Sequence, residues 1–99
     1  MNLYAVIRSR GSTWQSSLGL EEQPGWDAHA AFMDALVSDG FVLLGGPLEG
    51  TSDVLLVVRA ESTGEIAKRL DADPWTASGL LRTAQIAPWT LRLGTLPQP

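Results

Sequence analysis

The sequence contains no cysteine. That excludes disulfides, a thiolate nucleophile and thiolate metal ligands. It contains a single histidine, His29, which excludes a multi-histidine zinc site. No run reaches the roughly 18 consecutive apolar residues of a membrane span. Positive charge is scarce. Seven Lys and Arg stand against eleven Asp and Glu, a net charge of −4. A nucleic-acid partner would call for a basic face, so the balance argues against one. The N-terminal "MNLYAVIRSR" is too short and too strand-like for a signal peptide. A cytoplasmic location is therefore the expectation.

What is present is an ordinary globular mixture, 44% hydrophobic and 18% charged. The 99 residues suit one domain with one core, spanning 1–99. There is no internal repeat and no low-complexity segment.

"LYAVIR", residues 3–8, is β-rich and predicts a first strand. Residues 9–25 carry serine, glycine and proline without a clear period, which reads as a long loop. Such loops are either lids and binding loops or mobile surface insertions. Helical periodicity runs from Trp26 to Asp39. His29, Phe32, Met33, Leu36 and Val37 form its apolar stripe. Asp27 suits the helix start by capping or by the dipole, and Gly40 suits its stop. "FVLLGGP" predicts a strand broken by Gly45, Gly46 and Pro47. "LEGTSD" is turn chemistry, and "VLLVVRA" predicts the next strand. Both strands are apolar on successive residues, as expected of strands covered on both faces.

Ser62 stands three residues before Glu65, the capping-box pattern, so a helix is expected over Thr63 to Leu70. "PWTASGLL" predicts a short helical turn. "RTAQIAPWTLRLG" predicts a last strand with Trp89, Leu91 and Leu93 on one face and Ile86 out of phase. Pro88 cannot donate to a ladder, so a bulge or an edge is expected there. Residues 95–99 read as a tail.

The order is β-α-β-β-α-β. It predicts an α+β, ferredoxin-like fold, an antiparallel sheet with two helices on one face. One layer of helices leaves the other sheet face bare. The simplest cover is a second copy packed sheet to sheet, a homodimer or a larger assembly of dimers. Trp89 or its neighbours near Pro88 are expected at that interface.

This topology brings the 9–25 loop, the glycine-proline hairpin and the "DADPW" turn to one end of the molecule. His29, in the first turn of the first helix, and Asp73, just past the second, share that end. Each has a bland explanation. His29 lies on an apolar stripe and suits a core histidine. Asp73 before Pro74 is a good helix cap with proline at the first helical position. Trp26, Trp75 and Trp89 are more often core or interface than pocket wall. The Gly45-Gly46-Pro47 run is first of all a turn. It is not a phosphate loop, because no lysine or helix start follows it.

The segments "HAAFMDALVSDGFVLLGGPL", "LLVVRAES", "DADPWTASGLL" and "IAPW", in that order, resemble the YciI-like (YCII-related) family over roughly Leu3 to Trp89. The resemblance implies a ferredoxin-like, dimeric α+β barrel and a His/Asp active site, matched here by His29 and Asp73. Some relatives are implicated in lyase or dehydrochlorinase chemistry on hydroxylated aromatic rings. The implied function is a small cofactor-free enzyme moving protons on a small cyclic or aromatic molecule, with no metal. The alternative is a non-catalytic ligand-binding or accessory module of the same fold. A cleft at the pair would be walled by Trp26 or Trp75, with Pro47 nearby. This chain departs from the family in two respects that bear on substrate, and one is the loop from Ser9 to Gly25, which is longer than the common pattern. Many members carry an arginine-proline pair just ahead of the histidine, where Trp26-Asp27 stand here. An anion contact from that arginine is then missing or supplied elsewhere.

Overall fold

The computed structural model describes residues 2–96. Of the expected tail over 95–99, residues 97–99 lie outside the described residues. Four strands, β1 (Asn2–Arg10), β2 (Val42–Pro47), β3 (Asp53–Ala60) and β4 (Leu81–Pro88), form one sheet in the order β2-β3-β1-β4. Every neighbouring pair is antiparallel. Helices α1 (Trp26–Ser38) and α2 (Thr63–Asp71), with a short α3 (Pro74–Ser78), complete the chain. This is the ferredoxin-like α+β fold that the order of periodicities predicts.

Both long helices pack on one sheet face. Tyr4 and Val6 of β1, Leu56, Val58 and Ala60 of β3, Leu36 of α1 and Ile66 and Leu70 of α2 form one buried cluster. Alternation puts Leu3, Ala5 and Ile7 on the opposite face, each half-buried. Leu55 and Val57 are paired with Ile7 and Ala5, so they share that outer face.

Local chemistry sets the helix ends. The Ser62 hydroxyl accepts from the Glu65 amide at 3.1 Å. The reciprocal half of the box differs from expectation. Glu65 accepts from the Glu61 amide at 2.8 Å, one residue earlier than the capping-box pattern places it. The cap position of α1 is Gly25, at φ 79°, and no side chain caps that end. Asp27 lies in the first turn, where its charge meets the helix dipole. Gly40, at φ 76°, ends α1 as expected.

Several boundaries depart from the sequence reading. β1 runs on through Ser9 and Arg10, so the connection begins at Gly11, and it contains a 3₁₀ turn over Leu20–Glu22. β2 continues through Gly45 and Gly46 to Pro47. Gly45 faces the helix side, where an added Cβ would come within 2.6 Å of Leu56 Cδ2. Gly45 therefore makes room for the Leu56 side chain, and neither glycine breaks the strand. The last strand stops at Pro88, and Trp89, Leu91 and Leu93 lie beyond it. With no N–H on Pro88, the last backbone bond from this segment to β1 is Trp89 N–H to Leu3 O, 2.9 Å. Pro88 does sit on an edge strand. The bulge lies elsewhere, at Ala84, where the register jumps from Ile7↔Gln85 to Arg8↔Thr83. Ile86 pairs with Val6 and packs against the core.

Candidate active site

Asp73 is where local and tertiary structure meet. Its Oδ1 accepts from the Trp75 amide at 2.9 Å, so it caps α3, with Pro74 at the first helical position. The same carboxylate is completely buried and takes two further side chains. His29 Nδ1 lies 2.9 Å from both oxygens. Arg8 Nη1 donates to Oδ2 at 2.7 Å. Capping and pairing therefore coexist, because a carboxylate has acceptor capacity for all three.

Arg8 was not legible as a site residue. It sits on β1 on the helix-facing side and is 1% exposed. Its Nη2 donates to Thr76 Oγ1 at 2.6 Å, and Thr76 in turn donates to Leu70 O at 2.9 Å. One buried arginine thus ties β1 to α3 and to the end of α2. Burial pushes the Asp73 carboxyl up. Hydrogen bonds from His29, the Trp75 amide and Arg8 outweigh that, and hold it below its ordinary value. Asp73 is therefore a carboxylate at neutral pH.

An ionised Asp73 can only accept, so the Nδ1 atom of His29 carries the proton and donates. In the neutral ring Nε2 then bears the lone pair. Among the described residues the buried side-chain N and O atoms without a partner are Arg8 Nε and Thr83 Oγ1. His29 Nε2 makes no hydrogen bond and is not one of them, so it is open to solvent. The ring is held flat against Trp75, 3.9 Å between centroids and 5° between planes. Trp75 is fixed in turn by an Nε1 bond to Pro24 O, 2.8 Å. Trp26 leans on both rings, and Trp14 meets Trp75 edge-on at 5.9 Å.

These side chains open on a cavity of about 360 Å³. His29, Trp26, Trp75 and Pro47 all line it, as do Arg8, Arg10, Trp14, Gly45 and Gly46. Trp89 does not; it is 41% exposed, beyond the end of β4. The size falls in the range of small-molecule pockets, roughly 300–1,000 Å³. The long connection forms one wall and is anchored, not loose. Gln23 is buried, donates to Gln15 O at 2.8 Å and Leu18 O at 3.1 Å, and accepts from Gln15 N at 3.0 Å. Gly11 approaches the turn after α3 so closely that an added Cβ would collide with Gly79 O. The Gly11 amide donates to Leu80 O at 2.8 Å.

Fold and site together define a ferredoxin-like α+β domain with a buried Arg–Asp–His cluster at the floor of a tryptophan-walled cavity. The chain belongs to the family of YCII-related domains, whose model matches residues 4–90. No curated protein matches it. Among solved structures it is similar to the 5-chloro-2-hydroxyhydroquinone dehydrochlorinase of Burkholderia phenoliruptrix AC1100, in complex with 2,5-dihydroxybenzoquinone. The identity is 24%, the match covers 93% of this chain and 95% of that one, and the TM-score is 0.62. At that identity the likeness supports the fold.

Proposed function

We propose that this protein is a small acid–base enzyme that uses His29 and Asp73 to move a proton on a small hydroxylated ring. The observation that carries the reading is one geometry. Nδ1 of His29 is tied to a buried carboxylate while Nε2 is open in a cavity of about 360 Å³. Nε2 takes a proton from a ring hydroxyl or ring carbon. The ring reacts in its keto tautomer, in which the carbon bearing the leaving group is tetrahedral and carries a hydrogen. The O–H or C–H electron pair becomes a new C=O or ring C=C bond, and the bond to the leaving group breaks with its own pair, as halide in a dehydrochlorination. Asp73 holds the tautomer and stabilises the imidazolium until the proton passes to water. The similar dehydrochlorinase, with its dihydroxybenzoquinone, supports the choice of substrate class by analogy of fold.

The reading includes a homodimer, or an assembly of dimers, packed through the outer sheet face. Leu3, Ala5, Ile7 and Leu55 are only half-buried there, and Leu44 is exposed. Both helices lie on the other face, so only a partner can cover these side chains. Trp89, at the end of the edge strand, belongs to the rim of that interface.

The test is a panel of hydroxylated rings, with and without a halide leaving group, scored by thermal shift and by halide release. Binding with turnover that is lost in His29→Ala is the expected result. Binding without turnover of any ring would make the protein a non-catalytic ligand-binding module. Stabilisation by none of them would refute the ring pocket itself.

A further inference from the structure

Two arginines from β1 line the cavity, and they are in opposite states. Arg8 is buried and committed to Asp73 and Thr76. Arg10, two residues on and so on the same side of the strand, is exposed. Among the described residues its guanidinium enters no ion pair and no side-chain hydrogen bond. Yet it is not unplaced. Its guanidinium carbon sits 4.5 Å above the centre of the Trp14 ring. Trp14 is itself held edge-on against Trp75, the ring that carries His29. Two carboxylates, Glu49 and Asp53, also line the cavity, and Arg10 pairs with neither. Asp53 is occupied by the Ser9 hydroxyl at 2.6 Å.

We propose that Arg10 is the specificity-determining residue of this site, selecting planar ring ligands that carry an ionised oxygen. The inference rests on the cavity being a ring pocket, as proposed above. A guanidinium resting on an indole keeps its planar fork and its donors at the rim while losing rotational freedom in advance. It can therefore bond an anionic ring oxygen with little further ordering. On a chain of net charge −4, it is the uncommitted arginine of the cavity lining. A ligand ring lying against the tryptophan wall would put one edge toward Nε2 of His29 and another toward Arg10. Selection then favours phenolates and hydroxyquinone anions over neutral rings of the same size.

The experiment is calorimetric titration of the full chain with 2,5-dihydroxybenzoquinone, whose enolic hydroxyls are ionised at neutral pH, and with hydroquinone, which is neutral there. Wild type, Arg10→Gln and Arg10→Lys are compared at low and high salt. The expected result is a loss of at least about tenfold in affinity for the anion in Arg10→Gln. Arg10→Lys should fall between, the salt dependence should shrink in Arg10→Gln, and hydroquinone binding should not change. Unchanged anion affinity in Arg10→Gln would overturn the assignment to Arg10 and leave the ring pocket standing. Equal weakening of both ligands would also overturn it, since Arg10 would then only shape the wall. A wild-type chain that binds neither compound would overturn the ring pocket, and this inference with it.

Discussion

The imidazole of His29 lies parallel to the indole of Trp75, at 3.9 Å, while its Nδ1 is bonded to Asp73 at 2.9 Å. One neighbour sets the plane of the ring, and the other sets its rotation and tautomer. Nε2 is left without a hydrogen bond among the described residues, on a side chain that lines the cavity. This arrangement is what the proposed proton transfer rests on, whereas a core histidine would have both nitrogens satisfied or buried.

His29→Ala should lower turnover of any ring substrate by about 10²–10⁴-fold, the usual worth of a general acid–base group. The fold should survive. The stack on Trp75 and the bond to Asp73 are lost, at a cost of about 1–2 kcal/mol, because Asp73 keeps Arg8 and the Trp75 amide. Chemical denaturation beside a turnover assay separates the two effects. Equal proportional losses of folded protein and of activity would argue for a purely structural histidine.

Asp73→Asn should be far more disruptive to stability than His29→Ala. Asparagine can still cap α3, but the buried Arg8 guanidinium loses its counter-charge. Stranding one member of a buried pair costs about 3–5 kcal/mol. Urea unfolding of the variant checks this, with Arg8→Met expected to fall in the same range.

Although burial pushes it up, the hydrogen bonds from His29, the Trp75 amide and Arg8 hold the Asp73 carboxyl below its ordinary value, so it contributes stability that is complete above about pH 4. The folded state binds its proton more weakly than the unfolded state. Stability from this group is therefore lost as pH falls below about 4 toward the folded value. The stability gap between wild type and Asp73→Asn should be constant near neutrality and narrow below about pH 4. Urea midpoints taken across the acid range measure it. A gap that widens on acidification would reverse the sign assigned here.

Gly45→Val should close part of the cavity and displace Leu56, whose Cδ2 lies 2.6 Å from the position of an added Cβ. Overpacking of this kind costs about 1–3 kcal/mol. The expected signature is loss of ring binding in a protein that still folds, read by calorimetry beside circular dichroism.

The outer sheet face predicts the oligomeric state. Light scattering at micromolar concentration should return a dimer or a multiple of one. Leu55→Asp, a charge placed at the middle of that face, should shift it toward monomer. A wild-type monomer would refute sheet-to-sheet assembly.

Much of this molecule follows from rules that act over a few residues. Ser62 and Asp73 cap the helices that follow them, Gly40 ends α1, and alternation against helical periodicity orders the elements. That order, with right-handed chain connections, already places the connection after β1, the β2–β3 hairpin and the α2–α3 turn at one end. For this reason His29 and Asp73, 44 residues apart, could be paired on topology and family resemblance.

Other features depend on distances that only the folded chain has. Arg8 reads as an ordinary residue of an alternating strand. Its role comes from a carboxylate 65 residues away and from the helix layer that excludes water around both. Gln23 looks like any polar loop residue until the loop curls around its amide and buries it. Of the bulge or edge expected at Pro88 the edge is found, while a bulge lies at Ala84, because register is settled between whole strands and not by one missing donor. The last strand ends at Pro88 because β1 begins only two residues beyond its partner Tyr4, so past Pro88 a single bond from Trp89 N–H to Leu3 O remains, whatever the apolar spacing of Trp89, Leu91 and Leu93. Local sequence determined which segments would be helix or strand, since that depends on neighbours along the chain. Burial, charge pairing and register were decided by tertiary packing, since each depends on what the rest of the chain brings alongside and on the water it removes.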